Sequence, residues 1–289
     1  MAEYAHVNGE VCPLSEATVS VRDRGFRYGD GIFETLRVYG GTIFAWEEHY
    51  DRLSHSADVL ALEHGLDDAT LEHRIHETLD VNGLENAYVR LSITRGVQPG
   101  KLTPQSPVDP TVVILVDALP RGGVTGEPVW DAPATLQITD VQRVPNAAIP
   151  ATAKTHNYLN GILARLDEPA ADDAILLDSR GAITEGTVSN LFIVDDGVLH
   201  TPNTDVGPIL PGITRSTVLA LAEQADIETR HTVLYPQHLY AADEVFLTNT
   251  TAEIRPVTAV DETTYSVGTV TDRLMEAFDH YIEANCYST

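Results

Sequence analysis

The sequence predicts an α+β fold in two domains. Its second half mixes short apolar strands with helices and lacks the regular alternation of strand and helix that marks a parallel α/β sheet. A segment rich in proline and glycine, residues 119–133, interrupts the chain without clear periodicity, which is typical of a linker. With 289 residues the chain is long enough for two compact cores. We therefore predict a small α+β domain over residues 1–118, a linker over 119–133 and a larger domain over 134–289.

Turn signals and apolar periodicity locate the elements of both domains. Asn8-Gly9 predicts a hairpin turn, and Gly40-Gly41 predicts a turn between a strand and its return. The predicted strands of the first domain cover 32–39, the residues after 41, 87–94 and 111–116, and its helices cover about 46–62 and 68–82. The second domain has predicted strands at 174–178, 191–194 and 244–247 and helices at about 155–168, 213–225 and 269–284.

The charge of the chain excludes one class of partner. It carries 43 acidic side chains against 18 basic ones, a formal net charge of −25. Binding to nucleic acid requires a basic footprint, so we expect neither DNA nor RNA as a partner. The acids are spread along the chain, which favours a halophilic protein adapted to molar salt, where screening weakens the repulsion between like charges. An acidic interaction protein is the competing interpretation.

Targeting and metal signals are both weak. The N-terminal residues show neither the basic start nor the apolar run of a signal peptide, and no apolar stretch approaches the roughly 18 residues of a membrane helix. We therefore expect a cytoplasmic protein with no membrane partner.

Cys12 and Cys286 lie at opposite ends of the chain and are expected to be free thiols. His73 and His76 could form half of a metal site, but no third ligand completes it, so no metal is expected.

Lysine is nearly absent from this chain. Only Lys101 and Lys154 occur, against sixteen arginines, and Lys154 begins a stretch that we predict to be helical. A lysine amine, unlike a guanidinium, can lose its proton in a desolvated pocket and condense with a carbonyl. Lys154 is therefore a candidate Schiff-base lysine, with an ordinary surface lysine as the alternative.

Two loops of the second domain have the character of phosphate-binding sites. In Leu210-Pro-Gly-Ile-Thr-Arg-Ser-Thr217, the Pro-Gly pair leads directly into a predicted helix whose first backbone amides suit a phosphate. An ordinary helix start is the alternative. The polar cluster Thr248-Asn-Thr-Thr-Ala-Glu253 follows an apolar strand and could bind phosphate or cap the next element. The glycine fingerprints of dinucleotide and nucleotide sites are missing, so the phosphate would belong to another cofactor.

A carboxylate lies beside a glycine in Thr184-Glu-Gly-Thr-Val-Ser-Asn-Leu-Phe192, at the mouth of an apolar strand. A buried Glu185 would need a cationic partner, and a protonated pyridine ring is one candidate. A structural glutamate at a strand edge is the other interpretation.

Taken together, these segments resemble the class IV, fold-type IV pyridoxal-phosphate enzymes, which include branched-chain aminotransferases, D-amino-acid aminotransferases and aminodeoxychorismate lyases. The resemblance covers nearly the whole chain. Its specific points are Asp23-Arg-Gly-Phe-Arg-Tyr-Gly-Asp-Gly-Ile-Phe-Glu-Thr-Leu-Arg37, His49-Tyr-Asp-Arg-Leu53, Tyr88-Val-Arg-Leu-Ser-Ile-Thr-Arg-Gly96, Lys154 with Asn157-Tyr158, Glu185-Gly186 to Asn190, Pro211-Gly-Ile-Thr214 and Thr250-Thr-Ala-Glu253.

The resemblance implies a D-amino-acid aminotransferase-like fold with pyridoxal 5'-phosphate as cofactor, and it implies a role for particular residues. Lys154 would form the Schiff base and move the substrate proton, Glu185 would pair with the pyridine nitrogen, and Tyr158 would lie near the ring oxygen. The phosphate would be held by Arg52, the amides of Ile213 and Thr214, and Thr250 with Thr251. The residues expected at the substrate are Tyr28, Phe33, Thr35, Arg37, Tyr88 and Arg90. Members of the family usually form homodimers, so a dimer is expected.

The family member is a choice among three. Tyr28, Phe33, Tyr88 and Arg90 resemble the pocket of L-specific branched-chain aminotransferases, which move an amino group between an amino acid and a 2-oxo acid. Thr35 and the four-residue step from Lys154 to Tyr158 look more like the lyase, which releases pyruvate from 4-amino-4-deoxychorismate. The loop 97–103 lacks the Arg and His of the D-amino-acid group, although Lys101 could substitute. We predict the L-transaminase, with the lyase second and the D-specific enzyme third. A further alternative is a binding protein without catalytic activity. Such a protein would tolerate the loss of Lys154 or Glu185, but this sequence keeps both.

Overall fold

The computed structural model describes residues 2–121 and 128–287, and these divide into two compact units. Unit 1 contains residues 2–121, 153–157 and 286–287, and unit 2 contains residues 128–152 and 158–285. Each unit is built from helices and its own sheet, which confirms the α+β prediction. Part of the predicted linker, residues 122–127, lies outside the described residues. The domain boundaries given by the sequence stay a prediction.

Unit 1 is built around a six-stranded antiparallel sheet with the strand order β2-β1-β6-β5-β3-β4. Its strands are β1 (Tyr4–Val7), β2 (Glu10–Pro13), β3 (Gly31–Tyr39), β4 (Thr42–Ile43), β5 (Ala87–Thr94) and β6 (Thr111–Ala118), and its helices are α1 (Arg24–Tyr28), α2 (Trp46–Val59) and α3 (Asp68–Asn82). The predicted hairpin turn is confirmed, because Asn8 (φ 52°) and Gly9 (φ 99°) join β1 to β2 in the left-handed conformation that Asn and Gly tolerate.

The two faces of this sheet differ in the elements that pack on them. Side chains alternate along β3 and β5, so Ile32, Leu36 and their neighbours on β5 point to the face that packs with α2 and α3. Phe33, Thr35 and Arg37 point to the other face, where they pair in register with half-buried residues of β5. We call this second surface the open face of the unit 1 sheet, formed by Phe33, Thr35, Arg37, Tyr88, Arg90 and Ser92.

The predicted helix over about 155–168 is wrong at its start, because α4 covers only Leu159–Asp167. Residues 154–156 are extended and lie along β3: Phe33 N donates to Lys154 O (3.0 Å), and His156 N donates to Gly31 O (2.9 Å). An isolated antiparallel bridge joins Ile32 to Thr155 between these two bonds. The main chain around Lys154 therefore continues the edge of a sheet before the helix begins.

Unit 2 contains a sheet with the order β11-β10-β9-β12-β13-β7-β8, and β14 pairs with β13. Its strands are β7 (Ala134–Ile138), β8 (Asp173–Ile175), β9 (Asn190–Asp195), β10 (Val198–Pro202), β11 (Thr229–Thr232), β12 (Glu244–Asn249), β13 (Glu253–Val260) and β14 (Thr263–Thr264). Its helices are α4, α5 (Ile213–Gln224), α6 (Pro236–Ala241) and α7 (Thr269–Ile282), and a short π-helix covers Glu283–Tyr287. The central strands are buried on both faces, where Phe192 and Phe246 stack with ring centroids 4.8 Å apart.

No helix in residues 2–121 and 128–287 combines the length and the apolar character needed to span a bilayer.

Candidate active site

The main chain of Lys154 is held on both sides within unit 1. Its N–H donates to the hydroxyl oxygen of Ser56 on α2 (2.9 Å), and its carbonyl accepts from Phe33 N on β3 (3.0 Å). Because the N–H and the carbonyl of Lys154 are both hydrogen-bonded, α2 and β3 together fix the position of its backbone.

The Lys154 side chain lies over an aromatic ring on the open face. Its Nζ is 4.5 Å from the centroid of Phe33, and the guanidinium carbon of Arg90 is 3.6 Å from the same centroid. Such contacts attract a cation to the ring electrons. Three of the predicted site residues thus meet at one ring, and Thr35 and Tyr88 share the face with them.

Arg37 also shares that face, but it is fully buried and donates through Nη2 to the carbonyls of Leu119 (3.3 Å) and Pro120 (3.2 Å). Tyr28 lies apart at the end of α1, where the guanidinium carbons of Arg24 and Arg27 are 5.1 and 4.9 Å from its ring. The roles of Arg37 and Tyr28 at a substrate stay predictions.

His156 follows Lys154 on the same side of its extended segment. Its ring centroid is 6.0 Å from that of Phe33. Burial, together with the nearby positive charge of Arg90, lowers the pKa of His156 from 6.5 to about 4. The imidazole is therefore neutral at physiological pH, and it hydrogen-bonds to the backbone of Ile32. No pattern in the sequence points to His156 as a site residue.

Arg52 lies on the helix-covered side of the sheet in a buried charge cluster. Its Nε and Nη2 donate to the two carboxylate oxygens of Glu34 (2.9 and 2.6 Å), and His49 Nδ1 is 2.8 Å from the same carboxylate. Burial alone would raise the pKa of Glu34, but the Arg52 charge and these hydrogen bonds lower it to about 2. Burial lowers the pKa of His49 despite the contact with Glu34. Arg52 is thus oriented by an ionised Glu34, and its role at a phosphate stays a prediction.

The N-terminus of α5 offers a suitable cradle for an anion in unit 2. The first amides of the helix, which belong to Ile213 and Thr214, have no hydrogen-bond partner within the helix. Gly212, the residue before the helix, has no side chain that could cap them. The hydroxyl of Thr214 is buried and has no hydrogen-bond partner among the described residues. A Cβ at Gly212 would come within 1.9 Å of Asn190 Oδ1, so only glycine fits beside this strand.

Glu185 is buried in unit 2 and has a cationic partner that the sequence analysis missed. Arg143 contacts Glu185 Oε1 through Nε (3.0 Å) and Nη2 (2.9 Å), and Leu210 N donates to Oε2 (2.9 Å). The predicted pairing of Glu185 with a pyridine nitrogen stays a prediction.

A buried aspartate organises the loop that follows Glu185. Asp173 accepts hydrogen bonds from Thr187 N (3.0 Å), Thr187 Oγ1 (2.5 Å) and Ser189 Oγ (2.6 Å). A Cβ at Gly186 would lie 2.4 Å from the Asp173 carboxylate, so the loop needs glycine at this position. Close packing against Asp173 therefore explains why a glycine follows Glu185.

The remaining predicted cofactor residues lie at ends of elements in unit 2. Thr250 and Thr251 follow β12 in a turn that Asn249 closes, since its side-chain oxygen accepts from Thr251 N (3.0 Å) and Ala252 N (2.7 Å). Thr248, at the end of β12, has a buried hydroxyl without a hydrogen-bond partner among the described residues. Tyr158 occupies the position just before α4.

The comparisons with known proteins agree on one family. The family described as amino-transferase class IV matches residues 31–260. A relative from Methanocaldococcus jannaschii, provisionally named a branched-chain-amino-acid aminotransferase, is 40% identical over 278 residues, which is 94% of this chain and 94% of the relative. The crystal structure of Escherichia coli branched-chain amino acid aminotransferase superposes with a TM-score of 0.89 at 33% identity, covering 96% of this chain and 94% of that one.

A structure from Legionella pneumophila, provisionally named a 4-amino-4-deoxychorismate lyase, is also similar. It has a TM-score of 0.83 and 25% identity, and the alignment covers 92% of this chain and 96% of that one.

The fold and these relatives define a fold-type IV aminotransferase, a class of pyridoxal-phosphate enzymes. The chain belongs to the amino-transferase class IV family. Its residues fit the cofactor of that family, since the α5 N-terminus and the orphaned Thr214 hydroxyl suit a phosphate. The roles of Lys154 and Glu185 stay predictions. Ser56 and Arg143 were not among the predicted residues, because hydrogen bonds between distant positions leave no local pattern in the sequence.

Proposed function

We propose that this protein transfers an amino group between L-amino acids with aliphatic, branched-chain-like side chains and 2-oxo acids. The observation that carries the proposal is the convergence of the Lys154 amine and the Arg90 guanidinium on the Phe33 ring. An amine for the chemistry, a cation for a carboxylate and aromatic rings for an aliphatic side chain then share the open face. The branched-chain names of the relatives support the same choice.

In this proposal the residues of the open face divide the work. Lys154 would bind the cofactor covalently, and its Nζ would carry the proton between the substrate α-carbon and the cofactor. Arg90 binds a carboxylate, and Phe33 with Tyr88 excludes water from the aliphatic side chain. Pyridoxal phosphate, when bound, supplies the electron sink that makes this proton acidic.

Seven residues would bind the cofactor, with the tasks that the family resemblance implies. In unit 1, Arg52 would bind the phosphate. In unit 2, Ile213, Thr214, Thr250 and Thr251 would bind the phosphate, Glu185 would stabilise a protonated ring nitrogen, and Tyr158 would contact the ring oxygen.

The test is a visible spectrum of the purified protein in molar KCl, recorded before and after adding one amino acid without any 2-oxo acid. Loss of the cofactor band with L-leucine and L-glutamate is expected. Loss with D-alanine alone would replace the proposal by a D-specific enzyme. A band unchanged by all three amino acids would contradict transamination.

The two lysines provide a matched pair of variants for the covalent assignment. Lys154→Ala should abolish the visible band, whereas Lys101→Ala removes the other lysine and should leave it intact. A band that persists in Lys154→Ala would show that Lys154 does not bind the cofactor, and it would favour a non-catalytic binding protein.

Aminodeoxychorismate lyase activity is the second candidate. The residues Phe33-Glu34-Thr35-Leu36-Arg37 and the short step from Lys154 to Tyr158 favour it, and so does the likeness to the Legionella structure. Release of pyruvate from 4-amino-4-deoxychorismate without any 2-oxo acid would identify the lyase, because a transaminase needs an acceptor. A D-specific transaminase ranks third, since the loop 97–103 offers only Lys101 as a cation.

We further propose that the protein is a homodimer in a salt-rich cytoplasm. Helix α4 exposes four apolar side chains at i, i+3, i+4 and i+7, namely Leu159 (60%), Ile162 (54%), Leu163 (47%) and Leu166 (70%). A continuous apolar stripe of this kind is typical of an interaction surface. The net charge of −25 supports the salt-rich setting.

A further inference from the structure

We infer that Ser56 is a positioning residue for Lys154, an inference that rests on the proposed function. Ser56 is completely buried on α2, and its hydroxyl makes two hydrogen bonds. It donates to the carbonyl of Arg52 one turn earlier (2.8 Å), and it accepts from the N–H of Lys154 (2.9 Å), 98 positions away in the sequence.

The first bond determines where the hydroxyl points. A serine in a helix commonly donates to the carbonyl four residues before it, and this bond fixes the rotamer of the side chain. Once the hydrogen is committed to Arg52, the lone pairs of the oxygen remain to accept. One of them receives the Lys154 N–H, so the two bonds use the donor and the acceptor of a single hydroxyl.

The second bond connects Lys154 to a helix that also carries Arg52. His49, Arg52 and Ser56 follow one another along one face of α2, and the first two contact Glu34 on β3. The turn of α2 that orients Arg52 is therefore the turn that holds the Lys154 backbone. On the other side of the Lys154 backbone, the N–H of Phe33 on β3 donates a hydrogen bond to the Lys154 carbonyl.

This arrangement sets a distance that the proposed chemistry requires. The phosphate and the aldehyde carbon of pyridoxal phosphate are separated by a rigid ring, so a phosphate ligand and a Schiff-base lysine must be held at a constant separation. The hydroxyl oxygen of Ser56 is hydrogen-bonded to both the Arg52 carbonyl and the Lys154 N–H, so a single atom connects the two residues. Loss of the hydroxyl would release one of the two supports of the Lys154 backbone, and small misplacements of a reacting group reduce rates strongly.

The chain provides a matched control in Thr78 on α3. Thr78 is also completely buried in unit 1, and its hydroxyl donates to the carbonyl of Arg74 four residues earlier (2.7 Å). The same helical bond is lost in Thr78→Ala and in Ser56→Ala, but only Ser56 accepts from Lys154. A difference between the two variants therefore reports on the bond to Lys154.

The experiment mixes cofactor-free protein with pyridoxal phosphate and follows the growth of the visible band, alongside kcat and KM. We expect Ser56→Ala to slow band formation and to lower kcat by about tenfold each, with KM changed less than about twofold. Thr78→Ala should change each quantity by less than about twofold. Equal behaviour of the two variants would overturn the role of Ser56.

A second variant keeps the test decisive if Ser56→Ala does not fold. Ser56→Cys keeps the unbranched shape of the side chain, with a larger sulfur atom, and replaces the hydroxyl by a thiol, which is a weak donor and acceptor. It should slow band formation severalfold, and an unchanged rate would overturn the inference. Wild-type protein that forms no band at all would overturn the proposed function and this inference together, whereas a normal wild-type band with a normal Ser56→Ala band would overturn this inference alone.

Discussion

Arg143 contacts a single carboxylate oxygen of Glu185 through two nitrogens, Nε at 3.0 Å and Nη2 at 2.9 Å. Glu185 is buried, whereas the Arg143 side chain keeps 21% of its surface exposed. Arg143 therefore compensates the charge of a buried carboxylate in unit 2, in agreement with the rule that buried charges are paired.

Replacing Arg143 by methionine should destabilise the protein, because a buried carboxylate loses its cation while most of the side-chain volume is kept. Removing one partner of a fully buried pair costs about 3–5 kcal/mol, and the partial exposure of Arg143 reduces our expectation to about 2 kcal/mol. Denaturant unfolding in constant salt measures the change.

Arg230→Met is the matched control for that variant. Arg230 contacts Glu228 Oε1 through Nε (2.8 Å) and Nη2 (2.6 Å), but both side chains are more than half exposed. The control should cost less than about 1 kcal/mol. Equal losses of stability in the two variants would show that the burial of Glu185 does not determine the free energy lost with its cationic partner.

His156 should make stability depend on pH. Its pKa is about 4 in the folded protein and 6.5 in an unfolded chain, so the unfolded state binds a proton first as the pH falls. The contribution is complete above pH 6.5 and is lost as the pH falls toward 4, with about 2 kcal/mol lost between pH 7.5 and 5.

His156→Asn tests this pH dependence, because an asparagine amide can replace the bond to the Ile32 backbone and does not titrate. Its free energy of unfolding should fall less steeply between pH 7.5 and 5 than that of the wild type. His73→Asn, at an exposed position of α3, should retain the wild-type dependence. Identical slopes for all three proteins would contradict a neutral, half-buried His156.

Potassium chloride should stabilise the protein. With a net charge of −25, repulsion between carboxylates opposes the folded state, and the Debye length falls from about 10 Å at 0.1 M salt to about 3 Å at 1 M. The thermal midpoint should rise steadily over this range. A midpoint independent of KCl would contradict adaptation to high salt.

The apolar stripe of α4 should control assembly. The double variant Leu159→Glu with Leu166→Glu places charges at both ends of the stripe and should convert a dimer to a monomer, as measured by light scattering after gel filtration. Val81→Glu changes an exposed apolar residue of α3 and should leave the mass unchanged. A wild-type monomer, or a double variant that stays dimeric, would exclude α4 as the contact.

Elements specified by local signals were predicted well. Helix α3 begins and ends where the sequence places it, because Asp67 accepts from Thr70 N at its start and Gly83 takes a left-handed conformation (φ 62°) at its end. Strand β5 follows from alternating apolar residues, and β3 lies between the turn signals that precede and follow it. Helix α2 ends at Val59 rather than Leu62, since Ala61 adopts a positive φ (46°).

The sequence by itself determined which chemical groups this protein has: the lysine Lys154 in a conspicuous segment, Glu185 beside a glycine, and a Pro-Gly pair before a helix. Only the tertiary structure decided which groups they meet. The segment 154–156 has helical neighbours in sequence, yet its backbone bonds go to β3 and to Ser56. Burial makes such distant partners obligatory, because a desolvated amide or carboxylate must be satisfied by whatever group the fold brings within reach.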